Sequence, residues 1–149
     1  MSKNSRYKKL SHSIYSCDYH VVFCPKYRSK VLKDEVKESL KQIMYKLCRE
    51  KDRVEVLELN IRKDHVHMLL SIPPKYSVSE IMGFIKGKSA INMLKIYGRK
   101  LRGYPQKSLW SRGYCVSTVG LDEQKIRKYI RWQEQKERAL EAQQRSLFE

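Results

Sequence analysis

Asp64, His65, Val66 and His67 stand in a row at the head of an apolar run that continues through Met68, Leu69, Leu70 and Ile72. Side chains alternate across a β-strand. His65 and His67 therefore share one face, about 7 Å apart, and Val66, Met68, Leu70 and Ile72 share the other. Two imidazoles so placed can pinch one cation. The apolar stripe should pack beneath helices, which puts the histidines on an open face of the sheet. A bare His-x-His also describes two solvated histidines on an exposed strand, since two-residue motifs recur by chance.

Tyr129 and Gln133 form the second constellation. They are four apart and stack on one face of a helix that also carries Ile126 and Ile130. Alone they read as a core tyrosine and a surface glutamine. Taken with the histidines they describe chemistry. Two neutral imidazoles and a side-chain carbonyl can hold a metal that polarises a phosphoryl oxygen. A phenol, with a reference pKa near ~10, becomes a nucleophile once a base or hydrogen bond assists it. Its attack on a DNA phosphodiester gives a phosphotyrosine link and expels a hydroxyl. The link keeps the bond energy, so rejoining needs no nucleotide cofactor.

Composition supplies the substrate class. The 149 residues carry 32 Lys+Arg against 16 Asp+Glu, a formal charge of +16, yet 41% are hydrophobic, which suits a folded core rather than a disordered polycation. Such a cationic domain needs an anionic partner, and nucleic acid is the commonest cellular polyanion. No apolar run approaches the roughly 18 residues of a membrane span. Met1–Lys9 lacks the apolar core of a secretory signal. Membrane, secreted and fibrous classes are set aside, and a cytoplasmic protein acting on DNA is expected. Cys17, Cys24, Cys48 and Cys115 form no Cys-x-x-Cys pair and read as structural thiols.

The elements that position these groups follow from periodicity. Residues 1–13 read as a basic, fraying arm. Strands are expected at 15–23, 54–61, 65–72 and 112–119. The apolar spacing of Val36, Leu40, Ile43, Met44 and Leu47 marks a helix over 34–51. Ser77 and Glu80 form a capping box for a second helix ending at Gly98. A last helix, 121–142, bears Tyr129. The order βαββαβ is the split βαβ unit of ferredoxin-like folds. The expectation is α+β, a ferredoxin-like or RRM-like antiparallel sheet with helices on one face and an extra C-terminal helix, in a single domain over 1–149.

Basic loops interleaved with aromatics suit single-stranded nucleic acid, or are charged surface loops with aromatic anchors. Lys26, Tyr27 and Arg28 lie in one, Tyr104, Trp110 and Arg112 in another. Gly83-Phe84-Ile85-Lys86-Gly87-Lys88-Ser89 is not a phosphate-binding loop, since three residues rather than four separate the glycines. Two glycines inside a helix cost about 1 kcal/mol each against alanine. Close approach to DNA or to another element would offset that, with Lys86 and Lys88 as phosphate contacts. A solvated helix face is the plain alternative. His20 shares the face of His65 if the first and third strands are neighbours, either as a group supporting the histidine ligands or, the favoured reading, simply exposed.

Several words in order, Tyr19-His20-Val21-Val22-Phe23, Pro25-Lys26-Tyr27-Arg28, Asp64 to Leu70, Gly83 to Ser89, Trp110-Ser111-Arg112-Gly113-Tyr114 and Thr118-Val119-Gly120, resemble the small single-strand DNA transposases of bacterial and archaeal insertion sequences. These are the one-tyrosine His-hydrophobe-His type of the insertion-sequence 200/605 family. The resemblance spans about residues 14 to 135. It implies a homodimer that recognises DNA hairpins near element ends, nicks single-stranded DNA and leaves a 5′-phosphotyrosine and a free 3′-hydroxyl before rejoining. Carried over, Tyr129 is the nucleophile, and His65, His67 and Gln133 hold Mg2+ or Mn2+. The family often exchanges the C-terminal helix, so the active site is shared between subunits, with Gly120 as the hinge. The rival readings are a non-catalytic RRM-like binding module, a nuclease using metal-bound water, and a domesticated relative acting on chromosomal repeats.

Overall fold

In the computed structural model the described residues are 7–101, 109–119, 131 and 135. A short ribbon pairs β1 (Lys8–Lys9) with β2 (Ile14–Tyr15). Then follow β3 (Asp18–Phe23), α1 (Asp34–Arg49), β4 (Glu55–Ile61), β5 (Val66–Ser71), α2 (Val78–Leu101) and β6 (Cys115–Val119). The main sheet has the order β4-β5-β3-β6, every neighbour antiparallel. β3-α1-β4 and β5-α2-β6 are the two crossovers, so the α+β, ferredoxin-like expectation is met.

The helices form where their sequences say they should. Val36, Leu40, Met44 and Leu47 are all buried, and Asp34 and Glu35 open α1 while Lys46 and Arg49 close it, matching the helix dipole. The Ser77 hydroxyl accepts from the Glu80 backbone N–H at 3.0 Å, capping α2. α2 does not stop at Gly98. It kinks at Tyr97 (φ −117°, ψ 21°), whose hydroxyl bonds Ser39 and the Glu35 carbonyl of α1, and it runs on to Leu101. A tertiary anchor thus carries the chain past a sequence stop signal. No helix among the described residues is long and apolar enough to cross a membrane.

The core lies between helices and sheet. Val66, Met68, Leu70 and Ile72 project into it with Val21, Phe23, Leu40, Met44, Ile81 and Ile85. Two expectations about the surroundings are corrected. The basic arm is tied down from Lys8: Lys8 bonds Glu55 and Ser71, and the Arg53 guanidinium donates to the Lys9 carbonyl. The second sheet face is not open where it matters. All six residues of β5 are buried, those opposite the core stripe included. Arg131, which is helical, lies against that face through an ion pair to Glu58 at 3.2 Å.

Candidate active site

Strand register builds the site. His67 of β5 stands between Val22 of β3 and Asn60 of β4, and His20 lies one pair along on β3, opposite Leu69. Even spacing puts all of these on the face away from the helices. The rings meet there. His65 packs edge-on to His67 with centroids 4.6 Å apart. His20 stacks on His67 at 5.5 Å, its Nε2 lying 3.4 Å from His67 Nδ1. His20, His65 and His67 are buried, so the exposed reading of His20 is corrected.

Asp64 decides what His65 presents. The His65 Nδ1–H donates to Asp64 Oδ1 at 2.7 Å, and Arg28 pairs with the other carboxylate oxygen at 3.4 Å. That hydrogen bond selects the tautomer and leaves the Nε2 lone pair free. Nε2 is buried with no hydrogen-bond partner among the described residues. Leaving such an acceptor unsatisfied costs about 1–3 kcal/mol. A lone pair held ready at that cost fits a ligand nitrogen.

His20 and His67 are also held neutral. Burial lowers His20 to about 4. Burial, then His65, His20 and Arg62, lower His67 to about 2. Neutral imidazole is the metal-binding form. A stability consequence follows. Both folded pKa values sit below the ordinary 6.5, so the unfolded chain binds more protons as pH drops below that value. Metal-free protein should hold full stability above about pH 7 and lose about 1–2 kcal/mol per histidine by pH 5. Urea midpoints at the two pH values measure this, and His20→Gln should flatten the profile. An unchanged midpoint would contradict neutral burial.

A cleft of about 340 Å³ opens beside His65 and takes Arg28, Ser111, Arg112, Gly113 and Tyr114 into its walls. Arg28 and Arg112, expected at DNA, border it and are exposed, as are Tyr27 and Lys88. A larger cavity of about 510 Å³, near Lys30 and Leu101, lies away from the histidines. Tyr129 and Gln133, with Tyr104, Gly120 and the 121–142 helix apart from residues 131 and 135, lie outside the described residues. Among the described residues no cluster of three or more His, Cys, Asp or Glu forms a metal cage. The histidine pair is the described part of the expected ligand set.

A family model described as IS200-like transposase matches residues 13–133. The chain belongs to the IS200-like transposase family. It is 44% identical over 126 residues to the transposase of insertion sequence element IS200 from Salmonella typhimurium, covering 85% of this chain and 82% of the relative. It is 34% identical over 131 residues to the ISDra2 transposase TnpA of Deinococcus radiodurans, covering 87% and 93%. A crystal structure of a Deinococcus radiodurans protein assigned as a transposase superposes with a TM-score of 0.71 at 32% identity, over 83% of this chain and 95% of that one. A REP-associated tyrosine transposase, solved with a REP hairpin, shares the fold at TM-score 0.56 and 14% identity, over 83% and 67%.

Within this transposase, two of the expected DNA contacts have other work. Trp110 is buried, its indole N–H donating to Ser89 Oγ at 2.9 Å and its ring meeting Phe23 edge-on at 4.8 Å. It is a core residue and offers no face to a base. Lys86 is half-buried, and its amine donates to the Ser111 and Gly113 carbonyls at 2.8 and 2.6 Å. It grips a loop instead of a phosphate. Gly83 and Gly87 are exposed, and a Cβ on either would meet nothing within 4 Å, so no described element explains them by close packing. Cys115 is an exposed thiol in the cleft wall, not a packed one. Asp64 as His65's partner and the buried Asn60 beside His67 were missed as site residues. Adjacency to the motif was the available signal for Asp64, whereas Asn60 becomes a neighbour only through strand register.

The Trp110 assignment is testable. Trp110→Ala should cost about 3–5 kcal/mol in urea unfolding. Trp110→Phe should cost about 1–2 kcal/mol, from the lost indole bond, while the Ser89 hydroxyl keeps its own bond to the Lys86 carbonyl. A base-stacking tryptophan would leave stability unchanged and weaken DNA binding in the alanine variant.

Proposed function

We propose that this transposase cleaves and rejoins single-stranded DNA at the ends of an insertion sequence through a 5′-phosphotyrosine on Tyr129, recognising DNA hairpins as a homodimer. The observation that carries the reading is His65: its Nδ1 is fixed by Asp64, its Nε2 is buried and unpartnered among the described residues, and His67 lies edge-on beside it. This donor pair fits a divalent ion, with Gln133 as the third ligand. Imidazole suits Mn2+ better than Mg2+, and the family resemblance favours either. Such an ion, when bound, supplies Lewis-acid polarisation of a phosphoryl oxygen.

The chain's own residues supply the rest. The Tyr129 oxygen forms a bond to phosphorus, the bond from phosphorus to the 3′ oxygen breaks, and the phenol proton leaves as the 3′-hydroxyl takes one up. The reverse attack by a 3′-hydroxyl rejoins the strand with no outside energy source. Arg28, through Asp64, keeps His65 in orientation. Arg131 pairs with Glu58 on the histidine face. A hairpin is what the REP-associated fold neighbour was solved with, and a hairpin is the natural probe here. An RRM-like module would need exposed aromatics on the central strands, where this sheet buries histidines.

The test is a labelled single-stranded hairpin with an insertion-sequence flank, incubated with Mg2+ or Mn2+ and run under denaturing conditions. Label migrating with protein is expected, and it should vanish with chelator. Cleaved DNA without protein-bound label would overturn the covalent route.

A further inference from the structure

Three sequence words converge on one place. Residues 24–26, which follow β3, zip against residues 109–111, which approach β6. Pro25 bridges Trp110, the Lys26 N–H donates to the Leu109 carbonyl at 2.9 Å, and the Ser111 N–H donates to the Cys24 carbonyl at 2.9 Å. α2 fastens this pair from below. Ser89 takes the Trp110 indole, and Lys86 spans the Ser111 and Gly113 carbonyls, closing the turn at Gly113, whose φ of +79° suits glycine. Arg112 is thereby presented between two pinned carbonyls. The zipped segments carry Arg28 and Arg112, which both line the cleft beside His65.

Lys86 is an unusual choice for that task. A lysine that loses solvent for two carbonyls gives up hydration, and burial lowers its pKa. Its ammonium satisfies both carbonyls and, unlike a neutral amide, adds positive charge beside the loop that lines the cleft. Both effects favour an anion above.

We propose that the cleft walled by Arg28, Arg112 and Tyr114 is a subsite for a backbone phosphate of the single strand next to the reacting one, and that Lys86 is its positioning residue. This rests on the proposed single-strand reading and deepens it. Arg112 and Arg28 contact the phosphate, while Lys86 acts through the carbonyls of residues 111 and 113 and never touches DNA.

The experiment measures binding of an unstructured single-stranded 12-nucleotide probe, in EDTA, to protein carrying Tyr129→Phe, so that no chemistry intervenes. Arg112→Gln should weaken binding about five- to tenfold and flatten the salt dependence by about 0.7 in log–log slope, the value for one phosphate. Lys86→Met should weaken it to a similar degree, and the double variant should be no weaker than either single one. Lys86→Arg, which keeps donors for both carbonyls, should restore most of the affinity. Additive losses would overturn the positioning role and make Lys86 a direct phosphate contact. Unchanged affinity in Arg112→Gln would overturn the subsite. Should Lys86→Met fail to fold, Arg112→Gln and Lys86→Arg still decide. A missing covalent adduct, with these binding effects intact, would overturn the tyrosine mechanism and leave the subsite standing.

Discussion

Tyr129→Phe is expected to abolish the covalent protein–DNA adduct and to lower single-strand cleavage by at least about a thousandfold, while hairpin affinity stays within about twofold. The substitution removes one oxygen and keeps the ring. Packing is therefore nearly conserved, and the loss falls on the step that forms the bond from oxygen to phosphorus. The covalent route predicts more than lost cleavage. Because the phosphotyrosine stores the energy of the broken phosphodiester, strand rejoining must vanish in the same variant and to the same extent. A nuclease using activated water gives a different pattern: cleavage survives Tyr129→Phe, rejoining is absent even in the unaltered protein, and no label follows the protein in a denaturing gel. Product end-group analysis adds an independent readout. A 5′ end blocked by protein and a free 3′-hydroxyl belong to tyrosine attack, whereas water attack leaves both ends free of protein.

Much of the frame was legible because it rests on short-range rules. Alternation along a strand placed Val66, Met68, Leu70 and Ile72 together, and the core contains them. The same rule put His65 and His67 on a common face, where their rings meet. The Ser77 cap was legible because a side-chain oxygen three residues from a backbone donor is a local geometry. What failed depended on contacts distant in sequence. Trp110 and Lys86 sit in basic, aromatic-rich words, and composition cannot say which way a ring or an ammonium points. Their partners, Ser89 and the carbonyls of residues 111 and 113, are 21 to 27 positions away. The histidine face was expected open because helices were assigned to one side only. Its burial depends on what lies on the other side, where the helical Arg131 reaches Glu58 of β4. Periodicity within either element could not reveal it.

His65→Ala should lose cleavage by about a hundredfold or more, and His65→Ala/His67→Ala should match Tyr129→Phe, with hairpin affinity again nearly unchanged. Affinity survives because His65 is 2% exposed and offers DNA little surface. The loss should be seen without DNA as well: electron paramagnetic resonance of added Mn2+ should report bound metal in the unaltered protein and free metal in the double variant. Asp64→Asn should fall between, weakening Mn2+ binding about 10- to 100-fold, since it disturbs the partner of Nδ1 and leaves the ligand nitrogen in place. Equal Mn2+ binding in all of these would remove the histidines from the metal site. The same variants locate the tyrosine. Co-purified dimers of one Tyr129→Phe chain with one His65→Ala/His67→Ala chain contain one complete site only if a chain's tyrosine serves its partner's histidines. About half of normal cleavage is expected. A mixed dimer with no activity would mean that each chain completes its own site.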